Sequence, residues 1–329
     1  MRHGVHFDIR HPHERAHLKP LARRLKHIRA GRSEVANVVV SADTRVPERG
    51  AWNVQLFHGL GDKGYTLNPV FLQRGRFPRV RTALTMAARR LRLPLNFTRP
   101  PRNPRQRGGR YEQVNAYGPR FADLLGDMLR DVEISNHGHV ALNERNGVRA
   151  DPDGPLLWMP TWDNRRFLGG PNQSSLGIFA REVALVSRHV PVQVKVHPLT
   201  LKFQQDEAAL QLLAKEPGVT LLDGGLDPYN LLSGVRAVLT DTSSLGFEAY
   251  CSGLPVGIAQ PPKVRYKGLH AELAQRTHVL RSGRPDLLDW AESPALPSDA
   301  RWMRDLLYAP SPERNDAFAQ ELASHVDAI

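Results

Sequence analysis

Between Val235 and Tyr250 the chain reads Val-Arg-Ala-Val-Leu-Thr-Asp-Thr-Ser-Ser-Leu-Gly-Phe-Glu-Ala-Tyr, and few folds accommodate that order. The apolar run 235–239 has the length and branching of a buried strand. It stops at Thr240-Asp241-Thr242-Ser243-Ser244, and residues 245–251 then follow helical rather than alternating spacing. A strand that runs through a hydroxyl-rich turn into a helix gathers free backbone N–H groups, hydroxyls and a positive dipole end at one spot. Phosphate and pyrophosphate bind well at such a spot. No Glu or Gln stands three residues after Thr242 or Ser243, so no capping box occupies those hydroxyls. An ordinary Ser/Thr N-cap has the same sequence, and the rest of the chain has to decide between the two.

The flanking segments repeat the alternation of strand and helix. Residues 5–9 predict a short first strand, and residues 13–30 a helix with Leu18, Leu21, Ala22, Leu25 and Ile28 on one face. Strands follow at 35–40 and 54–57, the latter ending at His58-Gly59. Residues 79–93 predict a basic helix, and 115–129 another strand, turn and helix. The polar stretch 144–155, rich in Gly, Asp and Pro, reads as a linker between domains. A second block opens with the strand 156–160. It continues through a helix at 176–188, a strand at 192–196, a helix at 202–215 and strands at 219–222, 235–239 and 256–259. The last stretch, 299–326, is helical with no strand after it. This rhythm predicts an α/β fold of parallel sheets. The 329 residues suit two domains, 1–150 and 151–329, the second carrying the C-terminal helix.

Charge divides the chain in the same place. Residues 1–110 carry 24 Lys/Arg against 6 Asp/Glu, whereas the remaining 219 carry 21 against 27. A basic first half attracts an anionic partner, whether membrane surface, acidic polymer or nucleic acid. The most cationic segment, 99–110, holds five arginines among three prolines and two glycines, which precludes a regular element. It lacks interleaved aromatic residues, so base stacking on single strands is poorly served. Cys251 is the one cysteine, which excludes an internal disulfide framework. No apolar run approaches the roughly 18 residues that span a bilayer. The first residues lack the apolar core of a signal peptide, and a cytoplasmic protein is expected.

Four segments fall just past strand ends, where open α/β sheets bind ligands. The first is His58-Gly59-Leu60-Gly61-Asp62-Lys63. A histidine between a strand and a glycine exposes its ring to a crevice, with a pKa suited to a general base. Lys63 would offset phosphate charge. The second is Pro160-Thr161-Trp162, where Thr161 is a cap or a donor to phosphate. The third is Lys195-Val196-His197-Pro198, which puts two potential cations on one side of a strand terminus. An edge strand with solvated polar residues would look the same. The fourth is the Asp241–Ser244 turn with Glu248, one helical turn beyond Ser244 and able to accept from ribose hydroxyls. A solvated helix charge is the plainer reading of Glu248. A P-loop and paired CxxC are missing from the sequence, which argues against a P-loop NTPase and a cysteine-ligated zinc site. No cofactor or bound metal is expected.

In this order the four segments resemble the CDP-glycerol glycerophosphotransferase family, the teichoic-acid primases and polymerases. The matching residues are His58-Gly59 with Lys63, Pro160-Thr161-Trp162, Lys195-Val-His197-Pro198 and Asp241-Thr242-Ser243-Ser244. Asp227-Pro-Tyr-Asn-Leu-Leu232 also looks like the family segment before the last of these strands. The resemblance implies two Rossmann-like domains facing across a cleft, the GT-B arrangement. It also implies transfer of glycerol phosphate from CDP-glycerol onto a hydroxyl of a lipid-linked or polymeric acceptor. His58 would then be the base that activates the acceptor hydroxyl. Lys195, His197, Thr242, Ser243 and Ser244 would bind the donor pyrophosphate and Glu248 its ribose, supported by Gly59, Lys63, Thr161 and Asp241. The chain departs from the family where Trp usually precedes His-Gly (Phe57 here) and where Thr-Pro-Leu usually precedes the lysine (Leu60-Gly61-Asp62). It also has Thr242 for the usual Tyr and Glu248 for the usual Asp. The first two departures lie on the acceptor side.

The expected partners are therefore a CDP-activated polyol or other nucleotide-diphosphate donor, a hydroxyl acceptor and an anionic membrane surface at the cytoplasmic face. A GT-B glycosyltransferase or a UDP-GlcNAc 2-epimerase-like enzyme would use the same C-terminal nucleotide site. A basic nucleic-acid-binding protein is the non-enzymatic alternative, and the absence of a recognition motif speaks against it.

Overall fold

The computed structural model describes residues 4–9, 12–31, 36–42, 51–56, 111–128, 132–145, 147–163, 172–266 and 268–328. The expected helix at 79–93, the arginine-rich loop 99–110 and the His58–Lys63 segment lie outside them.

Among the described residues the first half contains five strands: β1 (Val5–Asp8), β2 (Val38–Ser41), β3 (Trp52–Gln55), β4 (Gln113–Asn115) and β5 (Glu133–Ser135). They form one parallel sheet in sequential order. Helices α1 (Pro12–Arg24), α2 (Pro119–Met128) and α3 (Val140–Asn143) accompany them. The α1 helix is shorter than its periodicity predicts, because after Arg24 the chain tightens into a 3-10 turn over Lys26–Ile28.

The second half holds β6 (Leu156–Met159), β7 (Val192–Lys195), β8 (Val219–Leu222), β9 (Ala237–Thr240), β10 (Val256–Gln260) and β11 (His278–Arg281). Their order is β11-β10-β9-β6-β7-β8, all parallel. This is the doubly wound order, whose direction of winding reverses between β6 and β9. Alternate residues of a strand face opposite sides, and both sides here are buried. Leu156, Trp158, Ala237 and Leu239 pack on one side with α4 (Leu176–Val186), α6 (Glu207–Leu213) and α9 (Asp286–Glu292). Leu157, Met159 and Val238 pack on the other with α7 (Leu245–Cys251) and α10 (Ala300–Leu306). That second cluster also contains Val114, Tyr117 and Phe121, so one apolar core joins the two halves.

The expected helix over 202–215 is two short ones, α5 (Pro198–Lys202) and α6. His197 caps α5, Pro198 starts it, and Gln204 and Asp206 interrupt it with positive φ values of 50° and 54°. Helix α8 (Leu269–Arg276) leads into β11, an edge strand that the sequence pattern did not disclose. The last helix, α11 (Pro312–Asp327), follows the second half in sequence but packs against the first sheet. Its Phe318, Ala319 and Leu322 share a cluster with Val5, Leu18, Val38 and Val54. Among the described residues no helix is long and apolar enough to cross a membrane.

Candidate functional site

Strand register sets the site. Trp158 pairs with Val194 and with Leu239, and Ile258 pairs with Thr240. Continued past the strand ends, that pairing brings His197, Thr161 and Thr242 level across β7, β6 and β9. Neighbouring strands are about 4.8 Å apart, so three of the four motifs form a row roughly 10 Å long over the winding reversal.

Asp241 fastens this row together. It is 2% exposed. Its Oδ2 accepts from Thr161 N at 3.0 Å, Ser175 N at 2.8 Å and Ser175 Oγ at 2.9 Å, and its Oδ1 from Thr242 N at 2.7 Å. One carboxylate thus ties the end of β6, the start of α4 and its own turn. Burial pushes its pKa up to about 6, against the opposing pull of these four donors. Thr240 Oγ1 adds a bond to Met159 O at 3.0 Å. Helix α7 can start this close to β9 because residue 246 is glycine, where a Cβ would lie 2.9 Å from the Thr240 methyl.

The turn keeps its hydroxyls near the surface. Ser243 and Ser244 are half-buried, and Ser244 begins α7 without a side-chain capping bond. Ser243 Oγ accepts weakly from Leu245 N at 3.4 Å. Thr242 is buried, with Oγ1 donating to Gln173 Oε1 at 3.4 Å and its carbonyl accepting from His270 Nε2 at 3.1 Å. At β7, His197 Nδ1 accepts from Leu199 N at 3.1 Å, which fixes the neutral tautomer with its proton on Nε2. Trp162 stacks on that ring at 6.3 Å and packs on Phe203 at 6.0 Å. Lys195 is buried, and its ammonium donates to Gly224 O at 3.1 Å. Burial lowers its pKa, while Asp227 and Asp223 act the other way.

Glu248 departs from both sequence readings, being neither a solvated charge nor an open ribose acceptor. It is fully buried, with Oε1 3.6 Å from His139 Nε2. His139 caps α3 through Nδ1, which accepts from Leu142 N at 3.2 Å and turns the protonated Nε2 toward the carboxylate. Around the pair stand Tyr117, His17 and Tyr229, with ring centroids 4.6, 5.0 and 4.9 Å from that of His139. Burial holds the Tyr229 phenol well above its usual range, and Glu248 adds to the effect. The cluster joins residues of α1, β4–β5 and the second half. Sequence reasoning missed His17, Tyr117 and His139. The available signal was His137-Gly138, a histidine and glycine after a strand just like His58-Gly59, but β5 is only three residues long. Elsewhere, Glu133, Glu321 and His325 offer ligand atoms within 4.8 Å of one another at the opposite, N-terminal edge of the first sheet. Glu321 is also bonded to His137 Nε2 at 2.6 Å.

Neither a protein-family model nor a curated protein sequence matches this chain. Solved structures do. The chain resembles the wall teichoic acid polymerase TagF with a TM-score of 0.59 and 10% identity, over 99% of this chain and 89% of that one. A variant of TagF gives 0.61 and 11% over the same shares, and a further variant 0.53 and 11% over 89% and 74%. At such identities the likeness is one of fold, and the chain has the two-sheet fold of the GT-B class.

Proposed function

We propose that this chain is a transferase that moves a polyol phosphate from a CDP-activated donor to an acceptor hydroxyl, at the cytoplasmic face of a membrane. The observation that carries the reading is the row of His197, Thr161 and the Thr242–Ser244 turn across the winding reversal of a doubly wound sheet. That row sits in a fold that TagF shares over nearly the whole chain. Phosphoryl transfer needs little beyond positioned donors and offset charge. Here the half-buried Ser243 and Ser244, with the His197 imidazole, contact the diphosphate. Asp241 and Lys195 are held inside and position the segments around them. His58 takes the acceptor proton as general base, and Lys63 offsets phosphate charge. The basic first half attaches to anionic lipid, each basic residue near the surface contributing about 1 kcal/mol.

The test is a calorimetric comparison of CDP-glycerol, CDP-ribitol and UDP-sugars, followed by detection of released CMP. Cytidine donors are expected to bind best. A preference for UDP-sugars would replace this reading with that of a nucleotide-sugar enzyme. His58→Ala is expected to abolish turnover and leave CDP affinity within about twofold; parallel loss of both would remove the base assignment.

A further inference from the structure

A pocket of about 670 Å³ opens beside the turn, past the ends of β10 and β11. Four cations line it, Lys263, Arg265, Arg281 and Arg284, together with Gln260 and Ser282, and no carboxylate does. All four are exposed, and among the described residues none is in an ion pair. One carboxylate reaches the rim, Glu182, which accepts from Ser282 Oγ at 2.7 Å and Gly283 N at 3.1 Å, and the four cations outnumber it. Positive charge gathered in a concave site concentrates anions, and arginine suits phosphate oxygens in particular.

Its place in the sheet ties it to the donor row. Gln260 pairs with Arg281, and the β9–β10 register sets Gln260 level with Thr242. Two strand spacings, about 10 Å, therefore separate the turn from Arg281. Helix α8 also touches the turn, since its His270 bonds the Thr242 carbonyl and stacks on Tyr266 of the loop that follows β10.

We infer that this pocket binds the phosphate groups of the acceptor, a phosphodiester-linked polyol chain, and holds its end against the donor site. The inference rests on the transferase reading above. Four cations in such a volume exceed what one phosphate needs and suit a run of them. The lining contains no aromatic ring on which bases stack, which separates this ligand from single-stranded nucleic acid.

The experiment measures binding of a labelled synthetic glycerol phosphate hexamer to the full chain by fluorescence anisotropy, with a single-stranded DNA hexamer alongside. Two surface variants are compared, Arg281→Ala with Arg284→Ala, and Lys263→Ala with Arg265→Ala. Each is expected to weaken hexamer binding at least tenfold and to leave CDP affinity within twofold. Hexamer affinity unchanged in both variants would overturn the inference. So would DNA binding as tight as that of the glycerol phosphate hexamer, or an equal loss of CDP affinity. A parent chain that ignores CDP, while its variants still lose the hexamer, would sink the transferase reading and leave the pocket standing as a polyanion site.

Discussion

Asp241 and Glu248 lie seven residues apart on one strand–turn–helix, both buried, and the molecule holds their charges in opposite ways. Asp241 is met by N–H and O–H dipoles from three segments of the second half. Glu248 is met across the junction by an imidazole from the first half. The first arrangement belongs to one sheet and persists wherever that sheet folds. The second exists only while the two halves stay packed. A carboxylate near a nucleotide turn therefore need not touch the nucleotide: one of these builds the turn and the other fastens the halves.

The sharpest way to break this contrast is Asp241→Ala. It leaves the Thr161, Ser175 and Thr242 N–H groups buried without their acceptor, at about 1–3 kcal/mol each. A loss of about 3–5 kcal/mol is expected in chemical denaturation, and a loss below 1 kcal/mol would show that the carboxylate does not knit the strand ends. Its pH signature has a definite sign. The folded-state pKa of about 6 lies above the unfolded value of 3.8. The folded chain therefore keeps a proton that the unfolded chain releases, and this contribution to stability is full below pH 4 and lost as pH rises to about 6. The change is about 3 kcal/mol. Asp241→Asn should remove that slope.

Next in size is His139→Ala, expected to cost about 2–4 kcal/mol through a lost cap and a buried carboxylate without its partner. Adding Glu248→Gln should recover at least about 1 kcal/mol, and strict additivity would uncouple the pair. The smallest effect on stability is expected of Ser243→Ala with Ser244→Ala, under about 0.5 kcal/mol, because Ser244 makes no side-chain capping bond and Ser243 only a long one, 3.4 Å from Leu245 N. CDP affinity should nevertheless fall at least tenfold in calorimetry. Unchanged affinity would move the donor elsewhere.

What the sequence disclosed follows from how far each signal reaches. The helix after the serine turn falls at Leu245–Cys251 as its spacing predicts, because an apolar run, a hydroxyl turn and a glycine are all local. Strand β8 matches because Val219, Leu221 and Leu222 form a short local apolar run. The edge strand β11 did not announce itself, since His278 and Arg281 leave only Val279 and Leu280 apolar in it. The roles of Asp241 and Glu248 were illegible for a different reason. Their partners Thr161, Ser175 and His139 stand 80, 66 and 109 positions away, and the same side chains in a ligand-binding turn would give the same local pattern. Three of the strand-end motifs were enough to place the row, but not to say which members face outward.

The closing helix has a consequence for how this protein is made. Phe318, Ala319 and Leu322 complete the apolar layer over Val5, Leu18 and Val38, so the first sheet stays partly uncovered until α11 emerges from the ribosome. The opening half therefore cannot complete its core before helix α11 is available, and a nascent chain stalled anywhere before residue 312 would display a sticky face to chaperones.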